Sequence, residues 1–100
     1  MTVVWSDHAI DRLRGHIRYI AENSCLETAS RWHFRLTEAT ALLETFPSMC
    51  PISSIPDLAA AGIHEMTFET YRVFYVIHED ECRIISILGG RQNINRIGDL

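Results

Sequence analysis

Three apolar runs in the second half of the chain restrict its fold more than any other feature. They span about Ile63 to Phe68, Tyr71 to His78 and Cys82 to Leu88, and only two and three residues separate them. Runs of this length that are rich in β-branched and aromatic residues are typical of strands, and such short breaks leave room only for hairpin turns. The sequence therefore predicts an antiparallel meander, and because both faces of the last two runs are apolar, each face of the sheet needs a cover.

The beginning of the chain changes from strand to helix within a few residues. A β-branched and aromatic run, Thr2 to Trp5, indicates a short strand, and Ser6 behind it is a good N-cap. The apolar residues that follow recur at helical spacing and comprise Ile10, Leu13, Ile17 and Ile20. We predict a first helix that runs to about Glu22.

A second helix follows closely. Ser24 and Glu27 form the pattern of a capping box, and Pro47 ends the helical repeat. The apolar face repeats in steps of three and four and consists of Ala29, Trp32, Leu36, Ala39, Leu43 and Phe46. Phe34 lies about 200° around the helix from Trp32, so it is either at the edge of a wider core or exposed for a partner. Two helices joined so tightly predict an antiparallel hairpin.

These elements define an α+β fold with a single domain over residues 1–100, in the order β-α-α-β-β-β. Residues 48–62 show no sustained period and predict a loop, with a short helical turn near Asp57 to Ala61. The helical hairpin covers one face of the sheet, which leaves the other face for the C-terminal segment or a second protein. Because a monomer seldom leaves a large apolar patch in water, we expect a partner, with a homodimer or a self-covering tail as the alternatives.

Charge and cysteine content exclude several classes of function. All nine basic residues are arginine, and thirteen acidic residues give a net charge of −4, which argues against a general nucleic-acid binder. No apolar run reaches the length of a membrane helix and no signal-peptide core follows the first residue, so we expect a cytoplasmic protein without a membrane partner. Cys25, Cys50 and Cys82 lack paired spacing, which predicts free buried thiols, no metal site and no cofactor.

The order and spacing of these segments resemble the ParE/RelE superfamily of bacterial toxins over nearly the whole chain. The segments that carry the resemblance are Val4-Trp5-Ser6 with Ala9, Tyr19 to Asn23, Leu43 with Phe46-Pro47, His64-Glu65-Met66, and Tyr71 to Tyr75. The resemblance implies the toxin of a type II toxin-antitoxin system. It also implies a cognate antitoxin as partner and therefore a hetero-oligomer.

One branch of this superfamily, typified by RelE, cleaves mRNA on the ribosome, a reaction that needs a base, an acid and cations around the phosphorane. If His78 pairs with Glu81 across the second hairpin, Arg72 and Arg83 point to the same face of neighbouring strands. Two arginines on one face are suited to a phosphate. The candidates for an endoribonuclease site are therefore Arg72, Arg83, His78 and Tyr75.

The composition of the C-terminal segment favours the other branch. The chain has no lysine and, after His78, no histidine or tyrosine, so the acid-base groups that ribosome-dependent members usually carry there are missing. We therefore favour a ParE-like toxin, which the resemblance implies binds DNA gyrase, traps it on broken DNA and is not an enzyme.

The chain also departs from the family pattern at the end of its last strand. Many members have a His-x-Arg-Arg or His-Gly-Arg-Arg run there, whereas Gly89 replaces the histidine and Gln92 the second arginine in this chain. A degenerate toxin that acts only with its antitoxin in autorepression is thus a further alternative. The candidate partner-binding residues are Phe34, Arg72, Phe74, Arg83, Arg91, Ile94 and Arg96. Of these, Arg91 and Arg96 are assigned to gyrase, together with the exposed face of the first helix.

Overall fold

The three apolar runs form the predicted antiparallel meander. In the computed structural model, which describes residues 1–100, the strands are β2 (His64–Phe68), β3 (Tyr71–His78) and β4 (Glu81–Gly89). His78 pairs with Glu81 across the second hairpin, as expected. A register shift between Phe74 and Tyr75 introduces a bulge into the β3–β4 pair, which increases the local twist of the sheet.

The first strand, β1 (Thr2–Trp5), extends the sheet beside β4, so the strand order is β1-β4-β3-β2. It pairs in parallel, with Thr2 opposite Glu81 and Trp5 opposite Ile84. Parallel neighbours need a long crossover connection, and the helices supply it. The predicted α+β class and element order are confirmed, and the parallel edge makes the sheet mixed.

The two helices form the predicted hairpin, with α1 at Asp7–Asn23 and α2 at Leu26–Ala41. Ser6 is the N-cap of α1, and its hydroxyl accepts the backbone N–H of Ala9 at 3.1 Å. The predicted capping box at Ser24 is wrong, because the backbone N–H of Ser24 bonds to Ile20 and completes α1. Cys25 is the N-cap of α2 instead. None of the helices is both long and apolar enough to cross a membrane.

The predicted end of α2 at Pro47 is also wrong. The helix tightens after Ala41 into a 3₁₀ turn at Leu42–Glu44. Since a 3₁₀ turn advances by three residues per turn instead of 3.6, the side chains beyond it rotate away from the helical face. Leu43 stays buried, whereas Phe46 is 58% exposed. The expected short helix in the following segment is present as α3 (Pro56–Ala60).

The first hydrophobic core lies between the helices and the sheet. Its buried members are Ala9, Trp32, Leu36, Leu43, Met66, Val73, Tyr75, Cys82, Ile84 and Ile87. Trp32 is at its centre, with ring contacts to Phe68 and Tyr71 at centroid distances of 6.1 and 4.9 Å. We call this side of the sheet the helix-covered face.

The second core lies on the opposite face of the sheet, because side chains alternate along a strand and Phe74 points away from its neighbours Val73 and Tyr75. Its buried members are Leu58, Ile63, Phe74, Leu88, Ile94 and Leu100. Helix α3 and residues 91–100, called the tail, supply its cover, so we call this side the tail-covered face. The expectation that this face stays open for a partner is therefore wrong, and the self-covering tail is the alternative that the structure adopts.

Candidate partner-binding surfaces

Arg72 is held in place on the tail-covered face. Its guanidinium forms an ion pair with Glu65, with 3.2 Å between Nη2 and Oε1 and only 21% and 25% of the two side chains exposed. The guanidinium lies 5.5 Å from the centroid of the Phe74 ring, and Nη1 donates to the main-chain oxygen of Gln92 at 3.4 Å. These charge, cation–π and main-chain contacts all lie within the chain, so Arg72 fastens the start of the tail to the sheet.

Arg83 lies on the same face but at the other end of the strands. It is opposite Val76, whereas Arg72 is opposite Leu88. Val76 lies four residues beyond Arg72 on β3, so the two arginines are about 13 Å apart along the strand direction. Arg83 is also paired, with 2.8 Å between its Nη2 and Oε2 of Glu81. The two arginines share a face, but the structure does not bring them together around one phosphate.

The two proton-transfer candidates lie apart from each other as well. His78 is exposed beside the hairpin turn, 3.8 Å from the carboxylate of Glu79. Tyr75 is fully buried on the helix-covered face, where its hydroxyl donates to the main-chain oxygen of Pro47 at 2.9 Å and its ring stacks on His64. Burial, with the thiol of Cys50 nearby, raises the pKa of Tyr75, so its hydroxyl stays protonated. The four ribonuclease candidates therefore do not form a single site.

Two of the predicted partner-binding residues are inside the protein. Phe74 has no exposed surface, and Ile94 is only 6% exposed. Both belong to the second core, and the tail must move before either touches another molecule. The prediction that they contact a partner is therefore wrong for the closed molecule, because the tail covers the face of the sheet that was expected to be open.

Phe34 is exposed, which decides between its two predicted positions. It is 65% exposed on the outer side of α2. It is the hydrophobic residue of a shallow depression of about 490 Å³, whose other lining residues are Ser30, Arg31, Arg35 and Glu38. Arg35 is paired with Glu69 at 3.0 Å, whereas Arg31 forms no ion pair. We call these five residues the Phe34 surface.

A second group of exposed apolar residues was missed by the sequence reasoning. It follows α2 directly and comprises Leu42, Phe46, Met49 and Ile52. The sequence reasoning placed Phe46 on the buried face of a longer α2, and the change of helical pitch after Ala41 has no clear sequence signal. Residues 48–62 show no helical or strand period, so the apolar residues among them could not be assigned to a core. This was the one sequence signal that some of them are exposed.

The turn after β4 gives a structural role to Gln92, one of the two departures from the family pattern. The backbone N–H of Gly90 donates to Thr70 at 2.6 Å, and a Cβ at Gly90 would lie 2.6 Å from the same oxygen. Only glycine permits this approach. The side-chain oxygen of Gln92 accepts the backbone N–H of Gly89 at 3.1 Å, so Gln92 closes the turn.

Arg91 lies next to this turn in a pocket of about 360 Å³. The pocket is lined by Tyr19, Thr70, Tyr71, Gly89, Gly90 and Arg91. Burial raises the pKa of Tyr71, with smaller contributions from Tyr19 and Glu69. Arg96 is farther along the tail and is exposed like Arg91, and neither arginine forms an ion pair. They are the two unpaired cations of the tail.

The three thiols are free, as predicted, but they differ in environment. Cys25 is exposed, not buried as expected, and hydrogen bonding to Thr28 lowers its pKa. Cys82 is buried in the first core, where burial raises its pKa to about 11. Cys82 is thus an inert core residue, whereas Cys25 is an accessible thiol at the tip of the helical hairpin.

A helical hairpin on a small mixed sheet is also found in a solved structure from a toxin-antitoxin system. The chain is similar to a solved structure from the chromosomal ParDE toxin-antitoxin system of P. aeruginosa, with a TM-score of 0.76 and 17% identity, over 89% of this chain and 95% of that one. A family model described as the ParE toxin of the type II toxin-antitoxin system parDE matches residues 3–94. The chain belongs to the ParE toxin family. None of the curated proteins matches it.

Proposed function

We propose that this chain is a cytoplasmic ParE-type toxin that binds DNA gyrase, traps the enzyme on cleaved DNA and is neutralised by a cognate antitoxin. Its place in the ParE family supports the toxin role. The proposed mechanism is binding, without a chemical step on the toxin itself.

The observation that carries a binding mechanism is the separation of the two arginines on the tail-covered face. Arg72 is held in a partly buried pair with Glu65, and Arg83 lies about 13 Å away along the strands, so the two guanidinium groups do not converge on the charge of one phosphorane. A base and an acid within hydrogen-bond reach of the same phosphate would also be needed for RNA cleavage. His78 and Tyr75 lie on opposite faces of the sheet, one exposed and the other buried, and cannot both reach one phosphate.

We assign the antitoxin to the Phe34 surface. An exposed phenyl ring beside the unpaired guanidinium of Arg31 suits a partner segment that carries apolar and acidic side chains. Aromatic and arginine residues are also the types that most often dominate binding energy at protein interfaces. This assignment replaces the tail-covered face as the antitoxin site of the closed molecule.

We assign gyrase to the segment that carries Arg91 and Arg96. Both guanidinium groups are exposed and form no ion pair, so each is available to an acidic partner surface. The pocket beside Arg91 adds the rings of Tyr19 and Tyr71, which supply apolar contact area next to the charge.

The decisive experiment adds the purified chain, freed from antitoxin, to gyrase and supercoiled plasmid and scores linear DNA after protein removal. Linear product that needs both proteins supports the proposal. Its absence, with the chain shown to be folded by circular dichroism, contradicts gyrase poisoning. That result would favour one of the two alternatives. Cleavage of mRNA predicts RNA products that Arg72→Ala abolishes, whereas a degenerate toxin that serves only in autorepression predicts neither product.

Two variants separate the two surfaces, and each serves as the control for the other. Phe34→Ala is expected to weaken antitoxin binding about tenfold or more and to leave linear DNA formation unchanged. The double variant Arg91→Ala/Arg96→Ala is expected to reduce linear DNA and to leave antitoxin binding unchanged. If both variants lose the same activity, the assignment of two separate surfaces is wrong.

A further inference from the structure

The tail covers the second core with only two buried side chains. Ile94 and Leu100 are 6% and 7% exposed, while most of the residues around them are exposed. Apart from the 3₁₀ turn at Ile97–Asp99, the tail has no helix or strand. A segment with so few buried apolar contacts and no strand pairing has a low free energy of local opening. Polar contacts must therefore supply much of what holds it.

Three of these polar contacts converge on one atom, the main-chain oxygen of Leu100. It accepts hydrogen bonds from His8 Nε2 at 2.8 Å, Arg12 Nε at 3.1 Å and Ser86 Oγ at 3.0 Å. His8 and Arg12 lie four residues apart on α1 and therefore on the same side of the helix. We call these three residues the cradle. A guanidinium donor makes a hydrogen bond stronger than a neutral one.

The buried member of the cradle is Ser86. It is fully buried on β4, and its hydroxyl donates a hydrogen bond to the main-chain oxygen of Leu100. A hydroxyl buried in an apolar core costs free energy unless it is bonded, so Ser86 favours the closed position of the tail. An alanine would pack here without that requirement. The serine thus links the second core to the end of the tail.

The other attachments of the tail are exposed to water. Asp57 Oδ2 accepts the backbone N–H of Ile97 at 2.8 Å. The carboxylate of Asp99 accepts the backbone N–H groups of Asn95 and Arg96 and so shapes the tail itself without fastening it to the sheet. At the other end, Gly90 is bonded to Thr70, which fixes the point from which the tail leaves the sheet. Arg72 Nη1 also donates to the main-chain oxygen of Gln92 at 3.4 Å, so the start of the tail is fastened close to this point.

We propose that residues 91–100 are a hinged cover that opens as a unit while the sheet stays folded, and that the His8–Arg12–Ser86 cradle is the catch that keeps it closed. The hinge is the turn after Gly90. Opening uncovers Phe74 and Leu88, and with them an apolar face of the sheet that is absent from the closed molecule. The cradle therefore sets the fraction of molecules that present this face.

Native-state hydrogen exchange of the full chain tests the proposal. In Arg12→Gln and Ser86→Ala we expect the amides of Ile97 and Leu100 to exchange about tenfold faster or more, because a hydrogen bond to a charged or buried group is lost. The amides of β3 keep their rates. Arg14→Gln is the matched control, since Arg14 is exposed on the same helix and its side chain forms no hydrogen bond or ion pair.

Two results would overturn the proposal. If the tail amides exchange at the same rate in the cradle variants as in Arg14→Gln, the cradle is not the catch. If the amides of the tail and of β3 speed up together, the cover is part of the global unfolding unit and does not open by itself. The Arg12→Gln variant keeps the test valid if Ser86→Ala alters the packing of β4, because the Arg12 guanidinium lies at the surface of the core.

Discussion

The two faces of the sheet are similarly apolar but are covered by different means. The helix-covered face packs against two helices of seventeen and sixteen residues, with Trp32 and Leu36 buried at the contact. The tail-covered face has one short helix and an irregular segment that buries Ile94 and Leu100. One cover is held by packing over a large area, whereas the other depends on a few side chains and on hydrogen bonds. Apolar strands thus require a cover without determining how firmly it is attached.

The largest expected effect is on the helix-covered face. Leu36→Ala should lower the free energy of unfolding by about 3 kcal/mol, because it leaves a cavity in a rigid contact between a helix and the sheet. Urea denaturation measures this change. Leu26→Ala is the control, since Leu26 is 76% exposed on the same helix and its loss should cost about 0.5 kcal/mol or less. A cost below about 1 kcal/mol for Leu36→Ala would show that this face is not tightly packed.

The corresponding change on the tail-covered face should cost less. Ile94→Ala removes a buried side chain of the same size, but we expect about 1–2 kcal/mol because the irregular tail can adjust around the vacated volume. The same urea titration applies, with Ile97→Ala as the exposed control three residues farther on. Equal costs for Ile94→Ala and Leu36→Ala would remove the distinction between the two covers.

Loss of the Arg72 anchor should have a smaller effect. Arg72→Gln is expected to cost about 1 kcal/mol, because it leaves the partly buried carboxylate of Glu65 without its cation and removes a contact to the tail at Gln92. Arg35→Gln breaks an ion pair that is 52% and 42% exposed and should cost about 0.5 kcal/mol or less. Thermal denaturation of both variants measures the two losses of stability. Equal costs would mean that Arg72 does not anchor the tail.

Acid should loosen the part of the tail that Asp99 shapes. Hydrogen bonds from the backbone of Asn95, then of Arg96, lower the pKa of Asp99 below 3.8, its value in the unfolded chain. A carboxylate whose pKa is lower in the folded than in the unfolded chain stabilises the folded state at any pH above its unfolded-state pKa. This stabilisation is lost as the pH falls through the folded-state pKa. Exchange of the Asn95 and Arg96 amides, corrected for intrinsic rates, should therefore accelerate below about pH 4, with the amides of α2 unaffected.

The control for this last prediction is Asp99→Asn. The amide side chain does not titrate in this range, so the tail of this variant should show no additional opening as the pH falls. If the variant keeps the pH dependence of the parent chain, another group is responsible and Asp99 does not control the tail.

The elements with strong local signals were predictable from the sequence. The alternation and short breaks of residues 63–88 determine the meander, and the Ser6 hydroxyl marks the start of α1. The errors arose where two local signals compete. Ser24 can begin one helix or end the one before it, and the position of Cys25 is decided by how far α1 continues. The pitch of a helix near its end depends on tertiary packing, which is why Phe46 was misplaced.

The candidate site was less predictable than the fold, because it depends on what faces each strand. The sequence indicates that Arg72 and Phe74 share a face and that the tail can pack on it through Ile94 and Ile97, whereas the structure buries Ile94 and Leu100 and leaves Ile97 exposed. Ile94 and Leu100 are isolated apolar residues in a polar segment and carry no periodic signal. Carboxylate partners such as Glu65 are also invisible until the register of β2 against β3 is known. The assignment of individual residues to antitoxin and gyrase remains a prediction.

The parallel pairing of β1 with β4 has a consequence for how the chain is made. Residues 2–5 are synthesised before the other elements of this domain, yet their hydrogen-bonding partners are residues 81–84, which follow about eighty positions later. Contacts between such distant segments form slowly and only after both are available. The first strand therefore has no strand partner until β4 has been made. A product that stops before residue 81 lacks β4, which lies between β1 and β3, so it cannot form this sheet.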